Sequence, residues 1–344
     1  MRHRHPTQAD VARLAGVSAA TVSIVLSGRT DTTVRISAET RARVIQAAAE
    51  LGYMPNPAAQ MLAQGRNRLL ALFYFGDTFP YEREHQFYLS LLGIEREASR
   101  QDYNVLLITR GQRAEQRSIY ATGGNMLRLA DGAILMGPLE NRGELARLVD
   151  DGYPFVYIGR RQVPGREIDW VVSDYIQAGY EGAHHLLALG HRHLGFVWVA
   201  PQTEEVQDRV QGCQTATGEV EGAELVVLPP EISEHADQID AALRRHRLSA
   251  LLCAGQGSLR ATLSRLQEVG RQVPRDLSIV ALSFDEGRQW PWPTLRPTHV
   301  RHQESLVGET AVRALVARLE GEVEGPQHIR IPCELAVGNT TVKP

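Results

Sequence analysis

Lysine is nearly missing from this chain of 344 residues: Lys343 is the only one, and arginine carries the rest of the basic charge. Cysteine is scarce as well. Cys213, Cys253 and Cys333 are widely spaced and form no C-x-x-C pair, which argues against a disulfide framework or a thiolate zinc site and fits reduced thiols. No uninterrupted apolar run is long enough to span a bilayer. The opening Met1-Arg-His-Arg-His-Pro has no apolar core behind it, so no secretory leader and a cytoplasmic location are expected. No G-x-G-x-x-G, Walker, G-x-S-x-G or H-E-x-x-H motif occurs, and an enzyme reading has nothing to stand on. His184, His185, His191 and His193 crowd together. However, adjacent residues on one helix cannot aim at a single ion, and Gly190 breaks the helix before the second pair. No metal and no cofactor are expected.

What is present is ordinary for a globular protein. Hydrophobic residues make up 43% and charged residues 22%, and the length suggests two or three compact units. The net charge of -3 conceals an asymmetry: residues 1–68 hold nine arginines against four acidic residues, +5, which leaves -8 on the remainder. A basic end on an acidic body points to a polyanion partner for that end, although a solvated basic tail would show the same charge.

The basic end reads as three helices. Thr7 is placed to cap the first, with Asp10 three residues on. Val11, Ala12, Leu14 and Ala15 supply the apolar face of the first helix, which stops at Gly16. Ser18 caps a second through Leu26, with Val22 and Leu26 inward. A third runs over 37–51, with Val44, Ala48 and Leu51 inward and Gly52 as its stop. A small residue at Ala12 and a turn glycine at Gly16 meet the packing needs of a helix-turn-helix. A segment of barely two turns follows, with Pro57 at its start and Gly65 at its end. A helix that short needs a partner to stay formed.

The runs Thr7-Gln-Ala-Asp-Val-Ala-Arg-Leu-Ala-Gly-Val-Ser-Ala-Ala-Thr-Val-Ser, Leu26-Ser-Gly, Ser37-Ala-Glu-Thr-Arg and Leu51-Gly-Tyr-Met-Pro-Asn resemble the headpiece of the lactose-repressor (LacI/GalR) family. The resemblance implies a recognition helix over 18–26 in the major groove, with base-reading positions at Ala19, Ala20 and Ile24. Many members carry an arginine where Ile24 stands; isoleucine cannot read guanine as arginine does, so a different half-site is implied. Thr7, Ser18, Thr21, Ser37, Thr40, Tyr53 and Asn56 fall where the family holds phosphates. The short segment resembles the hinge helix, with Leu62 as the minor-groove wedge and Ala59 beside it. Two wedges must meet at the operator centre, so a homodimer on a pseudo-palindromic operator is implied.

From residue 69 onward apolar runs at 70–75, 105–109, 132–136, 155–159, 194–199, 225–228, 250–254 and 277–282 alternate with helical stretches at 87–100, 116–129, 144–150, 176–189, 206–217, 236–245, 259–269 and 304–319. Such alternation gives an α/β body of parallel sheets, and eight strands suit two doubly wound lobes. The resemblance agrees and implies a periplasmic-binding-protein-like core. The organisation expected is a headpiece over 1–56, a hinge over 57–68, and a two-lobed body over 69–344. Within the body, residues 69–173 and 298–321 are expected in one lobe, and 174–290 and 326–344 in the other. No leucine-heptad tail follows, so a tetramer built on one is not indicated.

The resemblance places the effector between the lobes, with Arg209 as its grip and Phe79, Tyr81, Gln256, Ser283, Trp290 and His302 around it. Aspartates common in sugar-binding members are replaced by Gly159, Gly255-Gln256 and Ser283, and His302 stands where glutamine is frequent. Three readings of the pocket stay open, an unusual carbohydrate first, then another small molecule, then a degenerate site. For the whole chain, an effector-responsive DNA-binding repressor leads. A constitutive regulator with a vestigial pocket and a small-molecule binding protein without DNA function are the alternatives.

Overall fold

The computed structural model describes residues 6–26, 36–54, 67–76, 87–109, 118–121, 123–138, 142–199 and 203–344. The chain divides into two compact units, Met1–Arg68 and Leu69–Pro344. Asn56, Ala59, Leu62, Phe79 and Tyr81 lie outside the described residues, as does the segment read as the hinge helix.

In the first unit α1 spans Gln8–Ala15, α2 Ala19–Leu26 and α3 Ala38–Leu51. Thr7 and Asp10 form a reciprocal capping box at the start of α1, and Gly16 ends it in the left-handed region at φ 66°, a conformation glycine adopts without steric cost. Val11, Ala12, Ala15, Val22, Val25, Val44, Ala47 and Ala48 make one small core. Val25 rather than Leu26 fills the inward position of α2, with Leu26 half-buried at its edge. Leu14, expected on the apolar face of α1, is exposed because it falls outside the stripe that Val11, Ala12 and Ala15 bury.

The second unit holds two six-stranded sheets. In chain order its elements are β1 (Leu69–Tyr74), α4 (Tyr88–Arg100), β2 (Asn104–Leu107), β3 (Gly132–Met136), α5 (Gly143–Asp150), β4 (Phe155–Ile158), β5 (Asp169–Ser173), α6 (Tyr175–Ala188), β6 (His193–Val197), α7 (Glu204–Gly218), β7 (Glu224–Val227), α8 (Ala236–Arg245), β8 (Ala250–Cys253), α9 (Gln256–Glu268), β9 (Ser278–Ala281), β10 (Thr298–Arg301), α10 (Glu304–Glu320), β11 (His328–Ile331) and β12 (Glu334–Ala336). The N-terminal sheet has the order β11-β5-β4-β3-β1-β2, and the C-terminal sheet β12-β10-β9-β8-β6-β7. All pairings are parallel except β10 with β12. Apolar clusters cover both faces of each sheet, as buried parallel sheets require.

The expected lobe boundaries need correction at both ends. β10 pairs with β9 in the C-terminal sheet, although 298–321 was assigned to the first lobe. β11 pairs with β5 in the N-terminal sheet, although 326–344 was assigned to the second. The chain therefore crosses between lobes at Asp174, at His302-Gln303 and at Pro332-Cys333. Strands of four residues with alternating polar side chains give too weak an apolar signal to be read as sheet. β5 was missed because Asp169 and Ser173 close its ends; Asp169 is buried and holds the Arg318 guanidinium at 2.8 Å. The helix expected over 116–129 is, in its described part, only a short 3-10 turn at Met126–Leu129. The Gly123-Gly124 pair precedes it, with Gly123 at φ 86°.

Among the described residues no single helix is long and apolar enough to cross a membrane.

Candidate functional site

α2 turns two different faces outward and inward. Val22 and Val25 are buried, Ala19, Ala20 and Ser23 are exposed, and Ile24 is half-buried. Residues 19, 20, 23 and 24 share one stripe of a helix, so the exposed stripe is low and largely apolar. Ser23 belongs to it, and its position one turn from Ala19 made it legible in the spacing. The hydroxyls expected at phosphates sit at helix N-termini. Thr21 N donates to Ser18 Oγ at 3.1 Å and Thr40 N donates to Ser37 Oγ at 3.2 Å. These caps leave further N–H groups of each first turn free to meet an anion. Thr7 caps α1, and Tyr53 is half-buried against the core just after α3.

In the second unit a cleft of about 690 Å³ lies between the lobes, with Arg209, Gln256, Ser283 and His302 in its wall. The four come from α7, α9, the end of β9 and the second crossover, all near C-terminal strand ends, where open parallel sheets bind ligands. Arg209 is 7% exposed, and its guanidinium lies 4.0 Å from the centre of the Tyr175 ring. Its buried Nε has no hydrogen-bond partner among the described residues. Gln256 Oε1 accepts from Asp285 N at 3.3 Å, while its Nε2 has no hydrogen-bond partner among the described residues. Burial pushes the Tyr175 hydroxyl well above its ordinary value.

Trp290 does not belong to this group. Its indole N–H donates to Leu295 O at 2.8 Å, and its ring stands edge-on to Phe284, 5.0 Å away, packed on the C-terminal lobe. It faces an adjoining pocket of about 510 Å³ on that lobe, which shares Phe284, Glu286 and Arg301 with the cleft wall. His302 lines the cleft but has both ring nitrogens engaged. Nε2 donates to Leu282 O at 2.7 Å, so Nδ1 carries the lone pair that meets the Cys333 thiol at 3.3 Å. It ties two interlobe crossovers together, and its ring lies 5.4 Å from that of Tyr175 at the third.

The cleft is also more charged than the sequence pattern suggested. Arg161, Glu205, Asp285, Glu286, Arg288, Arg301 and Glu304 all line it. Arg288 pairs with Asp285 and Arg301 with Glu286, so Glu205 and Glu304 are the acids left beside Arg209. Glu205 lies one helical turn before Arg209, a spacing visible in the sequence. Burial drives the Glu304 carboxyl up to about 7, against a hydrogen bond from Ser90, and the Glu205 charge adds to the rise.

Burial, aided by the Arg209 charge, depresses the His302 imidazole to about 4. A base whose folded value lies below its ordinary 6.5 contributes stability that is complete above that value and is lost as pH falls toward 4. Glu304 has the opposite sign: its contribution is present below 4.5 and is lost as pH rises through 7. His302→Gln is therefore expected to gain on the wild type in melting temperature as pH is lowered from neutrality to about 5. Parallel melting curves against pH would contradict the assignment.

Two of the crowded histidines tie the chain's C-terminal segment to the body. His185 Nε2 meets Thr341 Oγ1 at 3.0 Å, and His191 bridges Ser249 Oγ and Val342 O at 2.8 and 2.9 Å.

Residues 7–56 match the model for bacterial regulatory proteins of the lacI family, and residues 183–341 match the periplasmic binding protein-like domain. The HTH-type transcriptional regulator CelR of Thermobifida fusca is 28% identical over 354 residues, covering 98% of each chain. A solved complex of transcriptional regulator CelR with cellobiose superposes with a TM-score of 0.65 at 26% identity, covering 97% of this chain and 99% of that one. The lac repressor dimer bound to operator and the anti-inducer ONPF superposes with a TM-score of 0.74 at 22% identity, covering 98% and 100%, which establishes the shared fold. Residues 7–56 thus match the DNA-binding domain of lacI-family bacterial regulatory proteins, the two-lobed body is similar to that of related regulators along its length, and the chain is a DNA-binding transcriptional regulator.

Proposed function

We propose that this regulator is a repressor whose operator affinity is set by a small polyhydroxylated effector, a carbohydrate, bound between the lobes. The observation that carries the reading is Arg209, buried, stacked on Tyr175 and lacking a partner for Nε inside a cleft of about 690 Å³. A planar guanidinium offers paired donors to neighbouring hydroxyls, and Glu205 and Glu304 supply acceptors. They do so from α7 and α10, which compensates for the aspartates missing at Gly159, Gln256 and Ser283. The related CelR has been solved with cellobiose, which makes that disaccharide the first probe.

The rest of the assignment rests on the family pattern. Residues 1–56 form the DNA-binding unit, 57–68 the hinge, and 69–344 the body that binds effector and forms the homodimer. Ala19, Ala20 and Ile24 read bases by apolar contact, and Thr7, Ser18, Thr21, Ser37, Thr40, Tyr53 and Asn56 set register on phosphates. Ala59 and Leu62 enter the minor groove of a pseudo-palindromic operator. Effector binding changes the lobe arrangement and so favours or disfavours a formed hinge helix, the two-state element that allostery requires. The protein works in the cytoplasm at the nucleoid, and it is a regulator rather than an enzyme.

Operator affinity measured against salt tests the DNA half. Six or more phosphate contacts predict a fall on the order of 1,000-fold between roughly 50 and 200 mM salt. A slope near zero would contradict the phosphate assignments. Calorimetry with cellobiose and other sugars tests the effector half. Indifference to all of them would favour the constitutive alternative, for which the missing strand-end aspartates are the supporting observation.

A further inference from the structure

One face of α7 makes its contacts across the cleft rather than within its own lobe. Glu204 and Asp208, one helical turn apart, are 6% and 2% exposed. Among the described residues every side-chain ion-pair and hydrogen-bond partner of these two carboxylates lies in the N-terminal lobe. Arg160, just after β4, holds Asp208 with two hydrogen bonds of 2.6 and 3.0 Å. Arg142, at the start of α5, reaches Glu204 at 2.7 Å, and Arg161 stands 3.7 Å from the same carboxylate. The backbone N–H of Gln162 also donates to it at 3.4 Å. Closer to the crossovers, Arg330 of β11 lies 3.8 Å from both Asp208 and Asp174.

Arginines from three separate segments of one lobe thus converge on a single helix of the other. Charges packed to stabilise one lobe would find partners inside that lobe. Among the described residues the two carboxylates do not, and their desolvation is offset only while the lobes are together, because an unpaired buried charge is strongly unfavourable. The neighbouring stripe of the same helix carries Glu205 and Arg209 into the cleft. The two stripes are one residue apart, so ligand grip and lobe contact share one rigid element.

We propose that Glu204 and Asp208, with Arg142, Arg160, Arg161 and Arg330, form an ionic clasp that holds the lobes together without a bound effector. The body is therefore closed before ligand arrives, and an effector acts by rearranging a cleft already shut. This holds whatever the effector is.

Distance measurements between spin labels on the two lobes test this directly. Labels go on exposed positions, Arg128→Cys and Arg245→Cys, in the full chain diluted with unlabelled chain. The wild type without ligand should give one narrow distance distribution. Asp208→Asn and Glu204→Gln should each raise the open population at least ten-fold, about 1.4 kcal/mol. The charge swap of Arg160→Asp with Asp208→Arg should narrow the distribution again, an outcome that a general loss of packing would not give. Should Asp208→Asn fail to fold, Arg142→Gln decides, since Arg142 is 41% exposed and its loss spares the core. A broad distribution in the ligand-free wild type, or folded variants with unchanged distances, would overturn the clasp.

Discussion

Gly212→Ala is expected to destabilise the body by about 3 kcal/mol, at the upper end of typical overpacking costs, and to lower its melting temperature by roughly 6–12 °C. The reason lies in how α6 and α7 cross. A Cβ on Gly212 would run into Ile176 O and lie 2.7 Å from Tyr180 N, while a Cβ on Gly179 would run into Arg209 O. The obstacles are backbone atoms of a facing helix, which cannot rotate aside as a side-chain end can. The helices must move apart, and Asp208 and Arg209 move with α7. The Cys213 thiol, 3.3 Å from Gly179 O, would lose its acceptor. The matched control is Gly218→Ala at the end of the same helix, where a Cβ meets nothing within 4 Å. There the better helix former should be neutral or stabilising. Equal melting temperatures for the two variants would show that the crossing tolerates separation. The N-terminal lobe repeats the device, with Gly93 against Ser305 O and Gly308 against Ser90 O.

Arg209→Ala should weaken effector binding about 100-fold or more while leaving operator affinity without ligand within about two-fold. A charge-assisted hydrogen bond contributes roughly 1.5–3 kcal/mol, and a guanidinium can offer two at once. Arg209 has nothing to lose at its Nε, which has no partner among the described residues, so the variant should fold. The positions proposed to read bases and hold phosphates lie in the other unit and keep their side chains. Arg209→Lys should not rescue, because an ammonium cannot present a planar fork or lie as a guanidinium does over Tyr175. Titration of the sugars that bind the wild type, followed by operator binding of the same variant, checks both parts. A variant that still responds to ligand would remove Arg209 from the site.

The three headpiece helices, with their caps and stops, were legible in the sequence, while Val25 was missed and Leu14 was misread as core-facing. Their caps, turn glycine and apolar spacing are local features, and local rules decide them. The sheet strands that the sequence revealed, β1 to β4 and β6 to β9, are those with uninterrupted apolar runs. β5 and β10 to β12 were not seen, because they carry charged or polar residues whose partners are distant in the chain. Asp169 is the example: its charge looks like a loop signal until Arg318 and Gln327 are brought to it. The same limit applies to the cleft. Arg209, Gln256, Ser283 and His302 followed from the resemblance to the lactose-repressor family, matched position by position. Tyr175 and Glu205 lie on crossing helices of the C-terminal lobe and Glu304 on a helix of the other, so the three come together only once both lobes have formed. Trp290 was misassigned because a proline-rich crossover gives no hint of the direction its rings face.

Selection of the preferred duplex from a random DNA pool, with and without cellobiose and a wider sugar panel, is the most direct test of the central claim. The account predicts enrichment of a pseudo-palindromic site without a guanine read by position 24, and a change in its recovery when one of the sugars is present. Recovery of no preferred sequence, or of a site indifferent to every ligand offered, would contradict it.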